Sequence, residues 1–433
     1  MDRIHSILDR LNLDASAIIL LLVTLCAFII PVLIILPPVP AKHSDALLQT
    51  HTKAGVQPKG NSSTKAKQQK NGQVTLQSLY IYPVKSCQGI EVMRSRVLPQ
   101  GLEHDRLFTL AQLKSPFPVS LDSSTAARSE HRWDFVTQRQ FPRLATVKVD
   151  LWLPDAMKMR RQGLEASREA FLVMRFPWRE DGWRGMLPLV GKEKEILLPV
   201  DFPSAAEMEK KGYVYEDVRI WKETVTALNM SVELPRELSL YLGVSNKLAL
   251  FRLDPGRLRE VYRCAPTARE AGYQPVTGFQ DAYPLHMITL DSVNEFSKEV
   301  LPELKHLDVR RFRANMILSG SPAYDEETWK KACFKPGSSG LRNDAVFHVS
   351  CRTVRCKMPN VDPETGERHP REPDHSLRTR RDVDPGAPKY GCLGMQLTPL
   401  FEKEEDADER YTWLAVGMTV NVEERGEHIY IPQ

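Results

Sequence analysis

The residue best placed to hold a soft metal ion or to act as a nucleophile is a cysteine among arginines. Cys356 directly follows Arg355 and lies four residues after Arg352, in the segment VRCKMPNVDPETG (354–366). Nearby cations lower the pKa of a thiol and favour the thiolate, which is the form that ligates metals or attacks electrophiles. The alternative is a buried structural thiol, which is the more common role of a single cysteine.

Cations also recur in several short motifs, YPVKSCQG (82–89), HDRLF (104–108), TQRQFPRL (137–144) and FRAN (312–315). Arginine is the usual partner of phosphate oxyanions, because its guanidinium makes paired hydrogen bonds. If these cations converge on one pocket, they suit a dianionic phosphate and a charged oxo-metal. If they do not converge, they are ordinary surface charges. The candidates are Lys85 with Ser86, Arg106, Arg139, Arg143, Arg311 and Arg313.

Two other chemistries have weaker support. A zinc site would use Cys351 and Cys356, but they are five residues apart and no second Cys/His pair at zinc-finger spacing follows. A Cys–His–Asp hydrolase would need a nucleophile elbow or a protease signature, and neither is present.

The elements that must position these residues are mostly short strands separated by Pro and Gly. The segments that read as strands are 74–84, 108–112, 144–153, 215–230, 246–253, 310–320, 345–357 and 417–426. The pattern predicts a helix over 235–244 and a strand running into a helix over 287–301, with Asp291 or Ser292 as its cap and Glu295 completing a capping box. Residues 115–132, 155–186 and 358–391 read as loops or insertions. We therefore predict a β-rich α+β, barrel-like body.

The N-terminal region differs from the rest of the chain in its amino-acid composition. Residues 15–36 are apolar and uncharged, long enough as a helix to cross a hydrocarbon core of roughly 30 Å. We therefore predict a short flank over 1–14, a transmembrane signal anchor over 15–38 and a flexible Lys-rich linker over 39–73. The lysines follow the apolar run, which predicts a single-pass protein whose C-terminal body faces the cytosol.

The amino-acid composition argues against two classes of protein. The formal net charge is +4, and six lysines against one acid in residues 42–73 account for that excess. The remaining body is balanced, which argues against nucleic acid as a partner. The seven cysteines lack paired spacing, which argues against a disulfide-stapled secreted protein.

These motifs, in this order, resemble the MOSC family, and most of all its eukaryotic branch of amidoxime-reducing components. The segment LYIYPVKSCQGIEV (79–92) looks like the opening of that family's N-terminal β-barrel domain, and RCKMPNVDPETG (355–366) looks like its metal-ligand segment. The resemblance implies an N-terminal MOSC-type β-barrel domain over 74–253 and a MOSC β-barrel domain over 254–428.

The resemblance also implies a molybdenum–pterin cofactor (Mo-molybdopterin). By position, Cys356 resembles the molybdenum ligand and catalytic residue. The remaining cofactor-binding positions, also by resemblance, are Lys85, Ser86, Arg106, Asp281, Ala282, Tyr283, Arg313, Asn315, Val354 and Arg355. Val354 stands where relatives often carry Ser, and Ala282 and Tyr283 replace smaller hydroxyl residues, so we expect the pocket to differ in shape from that of relatives.

The implied activity is the reduction of small N-hydroxylated compounds, such as amidoximes and hydroxylamines. Electrons would come from a cytochrome b5-type protein and its NADH-dependent reductase. The implied location is the mitochondrial outer membrane, with the endoplasmic reticulum still open. Two alternatives remain: Cys356 carries persulfide sulfur in molybdenum-cofactor metabolism, or the chain is a non-catalytic, cofactor-binding membrane module.

Overall fold

The computed structural model describes residues 15–35, 42–56, 72–115, 131–165, 168–179, 193–300, 303–337, 339–401 and 410–432. The helices within these ranges are α1 (Ala15–Ile35), α2 (His43–Leu47), α3 (Ala156–Arg161), α4 (Ala205–Lys211), α5 (Arg236–Leu242), α6 (Ala268–Ala271), α7 (Leu290–Val300) and α8 (Asp374–Arg380). Single turns of 3-10 helix occur at Pro142–Thr146, Ser231–Glu233, Val309–Phe312, Asp325–Thr328 and Met358–Asn360.

The strands are short. They are β1 (His51–Lys53), β2 (Thr75–Ile81), β3 (Ile90–Val92), β4 (Arg94–Leu98), β5 (Gly101–Leu102), β6 (Phe108–Lys114), β7 (Arg132–Phe135), β8 (Lys148–Pro154), β9 (Phe171–Pro177), β10 (Glu193–Pro199), β11 (Val214–Ile220), β12 (Glu223–Asn229), β13 (Leu248–Arg252), β14 (Arg259–Glu260), β15 (Val276–Thr277), β16 (Leu285–Thr289), β17 (Met316–Ser319), β18 (Trp329–Lys335), β19 (Ala345–Val354), β20 (Cys392–Leu400), β21 (Thr412–Ala415) and β22 (Thr419–Arg425). This content confirms the β-rich α+β prediction.

The largest sheet has eight strands in the order β17-β16-β20-β19-β18-β22-β2-β3. Strand β17 also pairs with β2, so seven of these strands form a closed ring around a core that includes Leu79, Trp329 and Phe347. The division at 253/254 stays a prediction. Strand β2, from the start of the first predicted domain, nevertheless pairs with strands of the second.

A second, smaller barrel closes through β11-β12-β13-β6-β7. Alternate residues of its strands point inward, and Trp133, Val218 and Phe251 belong to its own apolar cluster. The hairpin β11–β12 turns at Trp221, whose φ of 56° lies in the left-handed region. This hairpin tip reaches the cavity described below.

A third sheet, β1-β8-β9-β10, corrects the prediction of a flexible linker over 39–73. Residues 51–53 pair with β8, and Leu47 is buried against Trp152 and Val173. The linker prediction is therefore wrong where α2 and β1 form, because one apolar side chain and three strand residues suffice to dock a polar segment on a sheet. Residues 57–71 lie outside the described residues.

Several local predictions also need correction. Helix α7 begins at Leu290 and is capped by Thr289, whose Oγ1 accepts from the N–H of Ser292 at 3.3 Å, so neither Asp291 nor Ser292 is its cap. The basic start of 310–320 forms a 3-10 turn, and the strand begins only at Met316. Segments expected to be loops contain α3, β9 and α8, because short stretches of buried apolar residues are enough to anchor each of them.

The apolar run after residue 14 is a helix, α1, which ends at Ile35 before the prolines. Of the helices that the structure describes, none combines the length and hydropathy needed to cross a membrane.

Candidate functional site

One cavity of about 960 Å³ brings together every residue that the family resemblance assigns to the cofactor site. Those lining residues are Lys85, Ser86, Arg106, Asp281, Ala282, Tyr283, Arg313, Asn315, Val354, Arg355 and Cys356. They come from five separate segments, each at the end of a strand or just before one begins. The closed ring is what makes them meet, although their individual roles stay predictions.

Three of these residues have left-handed backbone conformations, which residues other than glycine rarely adopt. The φ angles are 67° at Ser86, 50° at Arg106 and 53° at Arg313. Such conformations cost of order 1–3 kcal/mol each and concentrate at functional sites. Their grouping around one cavity supports a functional role for this wall.

Lys85 forms an ion pair with Asp281 at one side of the cavity. Its Nζ donates to Oδ1 of Asp281 and to the carbonyl of Phe279, each at 2.6 Å. Burial lowers the pKa of Lys85, and the Asp281 carboxylate opposes that shift. Partial desolvation inside the cavity raises the pKa of Asp281, but the Lys85 ammonium and its hydrogen bond outweigh that effect and bring the pKa to about 2. The Asp281 side chain is 52% exposed because it faces the open cavity.

Arg106 and Arg313 flank the ring of Tyr82. Their guanidinium carbons lie 4.5 and 4.3 Å from the ring centroid. Arg106 is held by Asp105, whereas Arg313 donates from Nη1 to the carbonyl of Cys87 at 2.7 Å. The buried Nη2 of Arg313 has no hydrogen-bond partner among the residues that the structure describes, and burial lowers the pKa of this residue to about 10. A buried, unpaired guanidinium nitrogen is a donor that an anionic ligand would satisfy.

Arg355 is fixed by several acceptors and does not turn toward the neighbouring thiol. Its Nη2 donates to Nε2 of His286 and to the carbonyl of Leu393, each at 2.6 Å. Burial and then the Arg355 charge hold the pKa of His286 well below its usual range, so the ring is neutral and Nε2 accepts. Gly394 allows this contact, because a Cβ there would lie 2.7 Å from Nε2 of His286.

The Cys356 thiol lines the cavity and is partly exposed. Burial raises its pKa, and the Met358 N–H together with Arg139 and Arg355 does not offset that effect. Arg355 therefore favours the thiolate, as expected from the sequence, but burial outweighs this effect and the pKa of Cys356 is raised. Arg352 is occupied by ion pairs with Glu327 and Asp384.

The other predicted residues shape the wall. The side-chain amide of Asn315 makes two hydrogen bonds to the backbone. Its Oδ1 accepts from the His286 N–H, and its Nδ2 donates to the Tyr80 carbonyl. The hydroxyl of Tyr283 donates to the carbonyl of Arg263 at 2.5 Å.

The expected convergence of cations is only partly correct. Arg139 lines the cavity and lies over the ring of Trp221 at 4.7 Å. Arg143 instead donates to the Tyr241 carbonyl at 2.9 Å, and Arg311 pairs with Asp362 at 2.7 Å. These two arginines support loops, because carbonyl and carboxylate acceptors lie closer to them than the cavity does.

Sequence reasoning did not select several lining residues, including Trp221, His286, Tyr390 and Tyr430. Trp221 donates from Nε1 to Oδ1 of Asp281 at 3.1 Å. No motif marks Trp221, Tyr390 or Tyr430, whereas His286 lies three residues after Tyr283 in the segment FQDAYPLHMITL (279–290). In the part of the chain that the structure describes, no three His, Cys, Asp or Glu side chains gather as a metal site.

Comparisons with known proteins agree with this architecture. The family model described as "MOSC N-terminal beta barrel domain" matches residues 73–173, and the one described as "MOSC domain" matches 274–420. "Mitochondrial amidoxime reducing component 2" of Rattus norvegicus is 23% identical over 332 residues, which is 76% of this chain and 77% of that protein. The human "Mitochondrial amidoxime-reducing component 1" is 22% identical over 329 residues, covering 76% of this chain and 77% of that protein.

A second group of relatives is much longer. "Molybdenum cofactor sulfurase" of Danio rerio is 25% identical over 312 residues, which is 70% of this chain but 30% of that protein. The chain therefore spans about a third of the sulfurases it matches. The resemblance drawn from the sequence motifs is confirmed.

Proposed function

Because this chain carries a MOSC N-terminal β-barrel domain followed by a MOSC domain, we propose that it binds a molybdenum–pterin cofactor through Cys356 and reduces N-hydroxylated compounds. The observation that carries the proposal is the single cavity that unites Cys356 with Lys85, Arg106 and Arg313. Relatives named as amidoxime reducing components support the chemistry.

The residues present fit such a cofactor. The volume of about 960 Å³ falls within the usual range for cofactor sites. The unpaired Nη2 of Arg313 is the donor that a phosphate oxygen needs. The Cys356 sulfur is a soft ligand, and metal binding would deprotonate the thiol despite its raised pKa.

When bound, the molybdenum centre would supply the two electrons that break the N–O bond. In the overall reaction, a hydroxylamine takes up two electrons and two protons and is reduced to an amine and water. Arg313 and Arg106 would bind anionic oxygens of the cofactor, and Lys85 would keep Asp281 ionised beside them. His286 would position Arg355, and with it the chain that carries Cys356. Trp221 would form the substrate-side wall and limit the width of the entrance.

The proposed electron source is external, namely a cytochrome b5-type protein with its NADH-dependent reductase. The resemblance to amidoxime-reducing components is the support for this partner. Turnover of benzamidoxime with those two proteins added, and none without them, is the expected outcome.

We further propose that α1 attaches the chain to a membrane, with the body on the cytosolic side and the mitochondrial outer membrane as the site. The support is an uncharged helix whose large apolar side chains are exposed, such as Leu20 at 68% and Phe28 at 73%. Relatives named as mitochondrial proteins favour that organelle.

The second candidate is a sulfur carrier in which Cys356 holds a persulfide. Relatives named as molybdenum cofactor sulfurases, at comparable identity, favour it. A sulfur carrier would release sulfane sulfur from Cys356 on treatment with cyanide and would hold no stoichiometric molybdenum.

The deciding experiment measures molybdenum and released pterin on the full chain purified from a host that makes the cofactor. We expect near-stoichiometric metal that is lost in Cys356→Ala and kept in Cys333→Ala, since Cys333 is a buried thiol on β18 outside the cavity lining. Cyanide-released sulfur on Cys356 without molybdenum would establish the sulfur carrier instead. Molybdenum retained by Cys356→Ala would show that Cys356 is not the ligand.

A further inference from the structure

Residues 42–54 are docked on the folded body. The N–H and hydroxyl of Ser44 donate to the Glu195 carboxylate at 3.0 and 2.7 Å. Leu47 is 8% exposed and packs against Trp152 and Val173. The chain is thus fixed to the four-stranded sheet within a few residues of Lys42.

This docking limits how far the body can lie from α1. The helix ends at Ile35, and Lys42 is already in the described, docked segment. Seven Cα–Cα steps separate them, and a fully extended chain covers at most about 25 Å in that length. If α1 lies in a membrane, the sheet face that receives residues 42–54 must lie close to the same membrane surface.

Helix α3 stands beside this docked segment. The Asp155 N–H donates to the Thr50 carbonyl at 3.1 Å, and Nζ of Lys158 donates to the His51 carbonyl at 2.6 Å. Met159 faces the core at 3% exposure, which leaves the opposite side of the helix to solvent. Because α3 contacts Thr50 and His51, its exposed side borders the docked segment.

The exposed side combines apolar and cationic side chains. Leu48, Met157 and Leu164 are exposed at 54%, 62% and 52%. Arg160 and Arg161 are exposed, and neither makes an ion pair with any residue the structure describes. We call these five residues the α3 patch. Apolar residues interspersed with free cations are typical of surfaces that rest on anionic lipid headgroups.

We propose that the α3 patch rests on an anionic phospholipid surface and fixes the orientation of the body on the membrane. The inference rests on the membrane attachment of α1 proposed above. Met157 and Leu164 enter the boundary between headgroups and acyl chains, and the two arginines pair with lipid phosphates and carboxylates. The body then has one orientation relative to the membrane.

The test uses the full chain with an environment-sensitive fluorescent amino acid in place of Met157, Phe28 or Tyr262. Each protein is reconstituted in vesicles of phosphatidylcholine with or without phosphatidylserine, and quenching by brominated acyl chains is measured. Tyr262 is 69% exposed and lies beyond β14, outside the α3 patch and its sheet, so it is the water-exposed control.

We expect quenching at Phe28 in both lipid mixtures, quenching at Met157 that is stronger with phosphatidylserine, and none at Tyr262. Charge reversal by Arg160→Glu with Arg161→Glu should abolish the phosphatidylserine effect at Met157 and leave Phe28 unchanged. Both arginines are exposed, so the thermal unfolding midpoint should not move. Quenching at Phe28 without quenching at Met157 overturns the patch alone, whereas the absence of quenching at both positions overturns the membrane attachment as well.

Discussion

The Nη2 atom of Arg355 donates to Nε2 of His286 across 2.6 Å, so the residue before Cys356 is held by a side chain 69 positions away. His286 lies on β16, and Arg355 follows β19; strand β20 pairs with both. The ring of strands thus places a neutral imidazole where it can accept from a buried guanidinium.

The first prediction concerns this contact. His286→Ala leaves a buried cation short of one acceptor, so the free energy of unfolding should fall by about 2–4 kcal/mol. Urea unfolding of the cofactor-free chain measures that loss. The molybdenum content of the same variant should also fall, because Arg355 no longer has a fixed position. His286→Gln offers an amide oxygen and should keep more cofactor than Ala, and equal retention by both variants would contradict the positioning role.

A second prediction concerns Gly394, which has a φ of 83°. A Cβ there would lie 2.6 Å from the carbonyl of Met287 and 2.7 Å from Nε2 of His286. Gly394→Ala should cost roughly 3 kcal/mol, because both backbone strain and a clash with a fixed carbonyl must be relieved. Gly243→Ala is the matched control, since Gly243 has a φ of 74° but no atom within 4 Å. It should cost only about 1 kcal/mol in the same unfolding measurement.

The third prediction is a pH dependence of stability from the pair of Lys85 and Asp281. The pKa of Asp281 is about 2 in the folded protein, below the ordinary value near 3.9 of an unfolded chain. A lowered carboxyl pKa stabilises the fold above about pH 4, and this contribution is lost as the pH falls toward 2. Asp281→Asn should therefore be less stable than the native chain at neutral pH, and the difference should shrink between pH 4 and 2. Denaturant unfolding at a series of pH values tests this, and the pH-dependent difference should be smaller in a Lys85→Met background, where only the Trp221 hydrogen bond and the Arg106 charge still lower the pKa of Asp281.

The fourth prediction concerns a pair of thiols next to the cavity wall. A hydrogen bond from Cys351 lowers the pKa of the partly exposed Cys264 to about 6. Cys264 should therefore react with iodoacetamide at a rate that levels off above about pH 7, as mass spectrometry of its peptide would show. Cys351→Ala should move this inflection to higher pH. Cys87 is the internal control, because burial raises its pKa to about 12 and it should stay unlabelled at pH 7. An unchanged inflection in Cys351→Ala would rule out the hydrogen bond as the cause.

Local patterns in the sequence predicted many of the strands and the segments that carry the site. Strand-like runs bounded by Pro and Gly predicted strands such as β13 and β19, and the position of Cys356 just after β19 followed directly. These features are encoded by neighbours along the chain, because side-chain periodicity reflects which face of a strand is buried. The motifs around Lys85, Arg313 and Cys356 were distinctive enough to select the residues that line one cavity.

Only the tertiary structure decided which long side chains reach that cavity and which turn away. Arg139 and Arg143 are four residues apart in one motif, yet one lies against Trp221 at the cavity and the other donates to the carbonyl of Tyr241. His286 lies in the site because the closed ring of strands brings β16 to the cavity. Residues 43–53 form α2 and β1 because Leu47 packs against Trp152 and Val173 on a sheet that is distant in sequence. Such outcomes depend on acceptors and apolar surfaces contributed by residues far apart in sequence, and no local pattern records where closure of the sheets will place them.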